Sequence, residues 1–259
     1  MKAVFMGKSK RSAARALEHL VERGWEVPAV VAAEPDVHTR EEQRVDLVAE
    51  RHGLPLLSDE DLYAAAERGE LADLDLIVSF LFWKRIREPL ISLPRAGCLN
   101  FHPAPLPDMR GVGGYNVAIL EGFADWGVSA HLVDEHLDTG DLVSVERFPI
   151  DQERETALSL DLKSQERLLA VFCRVADRVL AGEELDRTPQ GKGRYVSRDD
   201  LEALRRVTPG DDLRRKLRAF WYPPHPGATI EVGGQEVTLV DAQLLEELAR
   251  VQGEAGLVP

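Results

Sequence analysis

The chain has 259 residues, with 45 Asp and Glu against 32 Lys and Arg, a formal charge of −13 and 44% hydrophobic residues. That length suits one large domain, or one with a small appendage, and the negative surface disfavours a broad nucleic-acid footprint. Two cysteines in apolar surroundings (Cys98 and Cys173), no leader pattern at Met1 to Gly7, and no apolar run approaching about 18 residues are read as a cytoplasmic protein without a membrane span.

Lys2 to Met6 is a β-rich run closed by Gly7. From Ser12 an amphipathic pattern places Ala16, Leu17, Leu20 and Val21 on one face and stops at Gly24. Val27 to Ala33 reads as a second strand, Glu41 to His52 as a helix closed by Gly53, and Asp59 to Arg68 as another helix. Asp73 to Phe80 is a strand whose second half is nearly all apolar, the pattern of burial on both faces. Strands alternating with helices predict an α/β fold, a doubly wound and mostly parallel sheet whose ligands bind beyond the carboxyl ends of the strands.

Gly97 to His102 is a further apolar run, and period 2 sets Asn100 and His102 on one face at its end. Pro103, Pro105, Pro107, Gly111, Gly113 and Gly114 hold an irregular loop after it, with Pro107 a candidate for a cis bond. A strand over Val128 to Val133 leads to a Thr-Gly turn carrying Asp138, 36 residues after His102. An amide donor, an imidazole and a carboxylate converging on one crevice make an acyl-transfer site. Beyond it, Thr156 to Ala181 reads as one long amphipathic helix and Asp186 to Arg198 as a polar linker. A helix near Leu213 to Phe220 follows, then a hairpin, Ala228 to Val232 and Glu236 to Val240, across Gly233-Gly234. The expected organisation is therefore a catalytic domain over 1–184 and, over 185–259, a linker with a small α+β appendage. The pair Trp221-Tyr222 is read first as packing for that appendage, with a homodimer surface as the alternative.

Other chemistries find no pattern. Gly7-Lys8-Ser9 lacks the second glycine of a phosphate loop, because Lys2 stands there, and no G-x-G-x-x-G follows the first strand. Lys8, Lys10 and Arg11 remain candidates for a phosphate at the start of the first helix. His131 and His136 flank Asp134 and Glu135 without metal-site spacing, so no metal is expected. Cys98 precedes Leu99 in a buried strand, where a thiol behaves as a small hydrophobe.

The runs N-F-H-P-A-P-L-P-D-M-R-G and V-D-E-H-L-D-T-G-D resemble the folate-dependent formyltransferases, whose signature is N-x-H-P-S-L-L-P-x-x-x-G followed by L-D-T-G-D. That group includes methionyl-tRNA formyltransferase, glycinamide ribonucleotide transformylase and the sugar N-formyltransferases. The likeness covers roughly Lys2 to Ala181 and is sharpest from Gly97 to Asp141. Ala104 and Pro105 replace the usual Ser and Leu, a departure in the loop rather than in the trio. The resemblance implies 10-formyltetrahydrofolate as co-substrate. It gives Asn100 the oxyanion, His102 the proton of the attacking amine, and Asp138 the orientation of His102. It also places the folate pterin near Phe80, Leu81, Phe82 and Trp83 and near Val133, Asp134, Glu135 and His136. Arg110 and Tyr115 then face the acceptor by position.

For the acceptor, Leu201 to Pro259 holds seven Lys and Arg against nine Asp and Glu, a poor platform for tRNA. The tail R-A-F-W-Y-P-P-H-P-G-A-T-I-E-V resembles that of the sugar N-formyltransferases. The expectation is thus a small amino sugar, nucleotide-linked. Methionyl-tRNA is the first alternative, and transfer to water, a 10-formyltetrahydrofolate hydrolase, the second.

Overall fold

Short apolar runs bounded by turn residues become the strands of one six-stranded sheet. A computed structural model describes residues 1–254, so the end of the expected appendage, 255–259, lies outside the described residues. In chain order the strands are β1 (Ala3–Gly7), β2 (Val30–Ala32), β3 (Leu76–Phe80), β4 (Cys98–His102), β5 (Met109–Gly111), β6 (Asp125–Leu132) and β7 (Leu142–Pro149). The sheet runs β2-β1-β3-β4-β6-β7, and β5 and the short β8 (Arg194–Val196) lie outside it. The pairs β1–β2, β1–β3 and β3–β4 are parallel, whereas β6 pairs antiparallel with β4. The sheet is mostly parallel, as expected.

Period 2 decides what each face holds. Val4, Met6, Ile77 and Cys98 belong to an apolar cluster with Leu62, Leu71 and Leu90. The alternate residues Phe5, Phe80 and Phe101 meet Phe172, whose ring lies 6.5, 5.6 and 5.0 Å from theirs, each edge-on. Phe172 belongs to α5 (Ala157–Leu180), the long helix expected from its leucine spacing. Helix α1 (Arg11–Glu22) buries Ala16, Leu17 and Leu20 as its periodicity requires. Among the described residues no helix is long and apolar enough to cross a membrane.

Several boundaries differ from expectation. The helix foreseen over 41–52 is a short 3₁₀ turn, Glu41–Gln43, followed by α2 (Val45–Arg51). Arg44 between them is extended, its Nε 3.0 Å from the Asp46 carboxylate, while the Gln43 side chain folds back to accept from Arg40 N–H. Helix α3 (Asp59–Glu67) begins at Ser58, which caps Asp61 N–H. Three helices missed in sequence are α4 (Gly114–Leu120), α6 (Arg198–Arg205) and α8 (Ala242–Glu254). The second starts at the last residue of the expected linker, where Ser197 and Asp200 cap each other's backbone.

By packing, the chain divides into two units interleaved in sequence. One comprises Met1–Arg110, Gly127–Arg147 and Ser164–Arg194, the other Gly111–Trp126, Phe148–Lys163 and Tyr195–Pro259. The boundary expected after residue 184 falls inside the first, which runs to Arg194. The second unit gathers Trp126, α4 and α7 (Leu213–Ala219), followed by the hairpin β9 (Thr229–Val232) and β10 (Gln235–Thr238). Within that unit Trp221 is buried, its carbonyl accepting from Leu158 N–H, and the Tyr222 hydroxyl donates to Asp161 at 2.5 Å. The aromatic pair therefore packs inside its own chain.

Phe172 is fully buried against three rings, so Phe172→Ala is expected to cost about 3–5 kcal/mol of unfolding free energy. Denaturant titration measures it, and a loss below about 1 kcal/mol would show that this aromatic cluster does not hold the sheet.

Candidate active site

Register places a row of polar side chains across three strands. Ser79 on β3 is the partner of Asn100 on β4, and Asn100 is the partner of His131 on β6. Register partners lie close enough for their side chains to touch, and here they hydrogen-bond. The Ser79 hydroxyl donates to Asn100 Oδ1 at 2.8 Å, and Asn100 Nδ2 donates to His131 Nε2 at 3.0 Å. His131 Nδ1 in turn donates to the Leu132 carbonyl at 2.7 Å.

The next rung pairs His102 with Ser129. The buried Ser129 hydroxyl donates to the Ala104 carbonyl (2.8 Å) and accepts from Leu106 N–H (2.9 Å), which pins the proline-rich loop to the sheet. The Leu106–Pro107 peptide in that loop is cis.

Asp138 reaches the row from the turn after β6. Its backbone is left-handed at φ +57°, a conformation that Asp tolerates better than most residues. The turn is built for it. Asp134 accepts from His136 N–H at 2.9 Å and from the Thr139 hydroxyl at 2.7 Å. Gly140 passes so near the Leu132 carbonyl that a Cβ there would stand 2.0 Å from its oxygen. The Gly140 carbonyl accepts from Gln190 at 2.6 Å, and Gln190 accepts from Arg110 at 2.9 Å. Asp138 Oδ1 thereby lies 3.7 Å from His102 Nδ1, 3.7 Å from His131 Nε2 and 3.5 Å from Asn100 Nδ2.

Burial holds His102 below the ordinary imidazole value, the Asp138 carboxylate pulls the other way, and His131 adds to the lowering. His102 is therefore neutral near pH 7. With a carboxylate on its Nδ1 side, the single ring proton belongs on Nδ1. Nε2, buried and without a hydrogen-bond partner among the described residues, then carries the lone pair, and His102 itself is not among the residues that line the cavity beside it.

A cavity of about 420 Å³ opens on this row. Its lining includes the polar Ser79, Asn100, His131 and Asp138, the apolar Phe82, Ile86, Val133 and Leu137, and the cationic Lys84 and Arg85. Asp134 and His136 line it as well. Glu135 lines a second cavity of about 520 Å³, with Arg85 and Arg87. Of the remaining residues expected near folate, Phe80 is buried in the aromatic cluster, stacked on Phe101 at 5.8 Å. Leu81 takes a left-handed turn (φ +56°), and Trp83 is half-exposed against Phe82.

The residues expected at the acceptor are more scattered. Lys8, Lys10 and Arg11 follow β1 around the start of α1, and none lines either cavity. Arg110 donates to Gln190 and to the Gly191 carbonyl, so its guanidinium braces the Asp138 turn. Tyr115, in the other unit, donates to Asp161 at 3.2 Å. Sequence reasoning missed Ser79 and His131. Their signal was a polar side chain at an inward position of a mostly apolar strand, Ser79 in LIVSF and His131, alongside Ser129, in DWGVSAHL.

The family model described as formyl transferase matches residues 1–175. A methionyl-tRNA formyltransferase of Sphingopyxis alaskensis is 29% identical over 98% of this chain and 84% of its own length. Another of Parvibaculum lavamentivorans is 32% identical over the whole chain and 85% of its own length. Among solved structures, the N-formyltransferase of Helicobacter canadensis, in complex with folinic acid and dTDP-3-aminofucose, superposes with a TM-score of 0.74 at 18% identity, covering 92% of this chain and 86% of that one.

The site fixes a sign for His102. Its folded pKa lies below the unfolded value of about 6.5, so the unfolded chain gains this proton first on acidification. The stability that His102 contributes while neutral is lost as pH falls from about 6.5 towards the folded pKa. Asp138→Asn removes the opposing charge and should lower the His102 pKa further. Ring-proton NMR titration of both proteins measures this, and an unchanged or raised value would remove Asp138 from the electrostatics of His102.

Proposed function

The chain belongs to the formyl transferase family, and from that premise we propose that it transfers a formyl group from 10-formyltetrahydrofolate to a primary amine on a nucleotide-linked amino sugar. The observation that carries the chemistry is the convergence of Asn100, His102 and Asp138 at the carboxyl end of β4, beside a cavity lined by both polar and apolar side chains. The cavity suits a flat heteroaromatic donor. Phe82, Ile86, Val133 and Leu137 would cover its face, and the backbone of the Asp138 turn would read its edge.

The donor supplies an acyl carbon at the formyl oxidation level. Asn100 Nδ2 donates to the oxygen as negative charge grows there, an interaction of about 2.7–4 kcal/mol for one such donor. His102 takes the proton that the attacking amine must lose, through its unpartnered Nε2, directly or by way of a water. Asp138 holds the Nδ1 side of the ring and stabilises the imidazolium once formed. The long 3.5 Å contact between Asn100 and Asp138 leaves that amide proton loosely held, and so available to the oxyanion.

Charge supports the amino-sugar acceptor. A chain of net −13, with a tail carrying more acid than base, meets a dianionic sugar nucleotide at far smaller electrostatic cost than a tRNA. The complex of the Helicobacter canadensis protein with dTDP-3-aminofucose agrees with it. A second reading, methionyl-tRNA as acceptor, rests on the names of the relatives at 29–32% identity.

Asn100→Ala, His102→Ala and Asp138→Ala are each expected to lose about 10²–10³ in kcat while still folding. Wild-type turnover in any one of them would remove that residue from the mechanism. Tetrahydrofolate release from 10-formyltetrahydrofolate, followed with a nucleotide amino sugar, with methionyl-tRNA or with water alone, assigns the acceptor. Dependence on charged tRNA overturns the sugar reading, release without any amine makes the protein a hydrolase, and no release overturns the activity.

A further inference from the structure

We propose that His131 is a positioning residue: its ring selects which end of the Asn100 amide faces His131 and Asp138, and so keeps an N–H donor available for the oxyanion. The two ends of an amide are nearly equal in shape, and a half-turn exchanges donor for acceptor. Something in the site must therefore choose.

Three neighbours touch that amide, and only one chooses firmly. The Ser79 hydroxyl, 2.8 Å from Asn100 Oδ1, both donates and accepts, so it would serve either orientation. Asp138 Oδ1 accepts only, but at 3.5 Å it stands at the limit of a hydrogen bond. His131 is different. Its Nδ1 is 2.7 Å from the Leu132 carbonyl, a group that can only accept, so the neutral ring carries its proton there. Nε2 is left with a lone pair alone, 3.0 Å from the amide. A turned amide would set its oxygen against that lone pair, two acceptors facing each other at a ring only 2% exposed.

The arrangement is anchored outside the side chains as well. The bond that fixes the tautomer goes to backbone, and the contact that reads it lies between register partners of β4 and β6. His131 need not touch a substrate to matter. It acts through Asn100.

This inference rests on the proposed formyl transfer for its kinetic tests, so one measurement is independent of that reaction. In ¹⁵N-labelled protein with the ring neutral, His131 should show its proton on Nδ1 and a bare Nε2. The opposite tautomer overturns the proposal, whatever the enzyme's acceptor. Kinetically, His131→Phe keeps the ring volume but removes the acceptor, and should lower kcat about 10- to 100-fold with KM for the formyl donor within about threefold. His131→Gln, whose Oε1 can accept from the amide, should recover most of that loss. In an Asn100→Ala background His131→Phe should change kcat by less than about threefold, since the residue it acts through is gone. Equal losses in both backgrounds, undiminished activity in His131→Phe, or no recovery in His131→Gln would each overturn the positioning role. Should His131→Phe fail to fold, His131→Gln against wild type in both backgrounds, together with the tautomer, still decides. A wild-type protein inert towards every acceptor would instead sink the proposed reaction, leaving the tautomer result to stand by itself.

Discussion

One hydrogen-bonded row across three strands, Ser79 to Asn100 to His131, sets the geometry on which this end of the sheet depends. It exists because the register of β3, β4 and β6 makes those three residues neighbours on one face. A slip of one residue in β4 would turn Asn100 and His102 towards the phenylalanine cluster and bring Phe101 into the cavity. Such a slip would bury an amide and an imidazole without partners, each at about 1–3 kcal/mol, and break the stacking of Phe80 on Phe101. The apolar face thus enforces the register that the polar face needs.

The same alternation explains how a polar site is held still. Behind Ser79 and Asn100 stand Phe80 and Phe101, fully buried against Phe172. Close-packed aromatic rings leave the strands little freedom, so side chains on their other face inherit fixed positions. The one long reach in the site, from the row to Asp138, is secured by different means. Asp134 closes the turn on itself, Gly140 lets the chain pass against the Leu132 carbonyl, and Arg110 and Gln190 hold the far side. Burial of His102 destabilises its charged form, which costs stability on acidification but keeps the ring able to accept a proton at neutral pH.

Much of this was legible in the sequence, and the failures share a cause. Period 2 in CLNFH put Asn100 and His102 on one face, and the family motif added Asp138. Ser79 and His131 went unseen because they lie 21 and 31 residues from Asn100, distances closed only by sheet pairing. The antiparallel pairing of β6 with β4 could not be read from a pattern of alternating strands and helices. Arg110 was assigned to the acceptor from its place after the loop, yet its guanidinium is engaged by Gln190 and a backbone carbonyl. Phe80 was placed near folate by the family's use of backbone at the end of the third strand, and its side chain turns the other way, into the aromatic cluster with Phe101. Position along the chain predicts which loop a residue joins, not which side of the sheet it serves.

That distinction bears on the acceptor. An oxyanion donor and a proton acceptor act on the carbonyl oxygen and the attacking nitrogen, atoms common to every formyl transfer to an amine. Nothing in the row of Ser79, Asn100 and His131 distinguishes one amine-bearing molecule from another. Relatives named for tRNA and a structural neighbour bound to a sugar nucleotide can therefore share this architecture without conflict. Discrimination has to come from groups that meet the rest of the acceptor, and for a polyanion those groups must be many and basic. Here the tail is acidic on balance. Lys8, Lys10 and Arg11 stand around the start of α1 and line neither cavity, so they too lie apart from the row that would act on the reacting atoms.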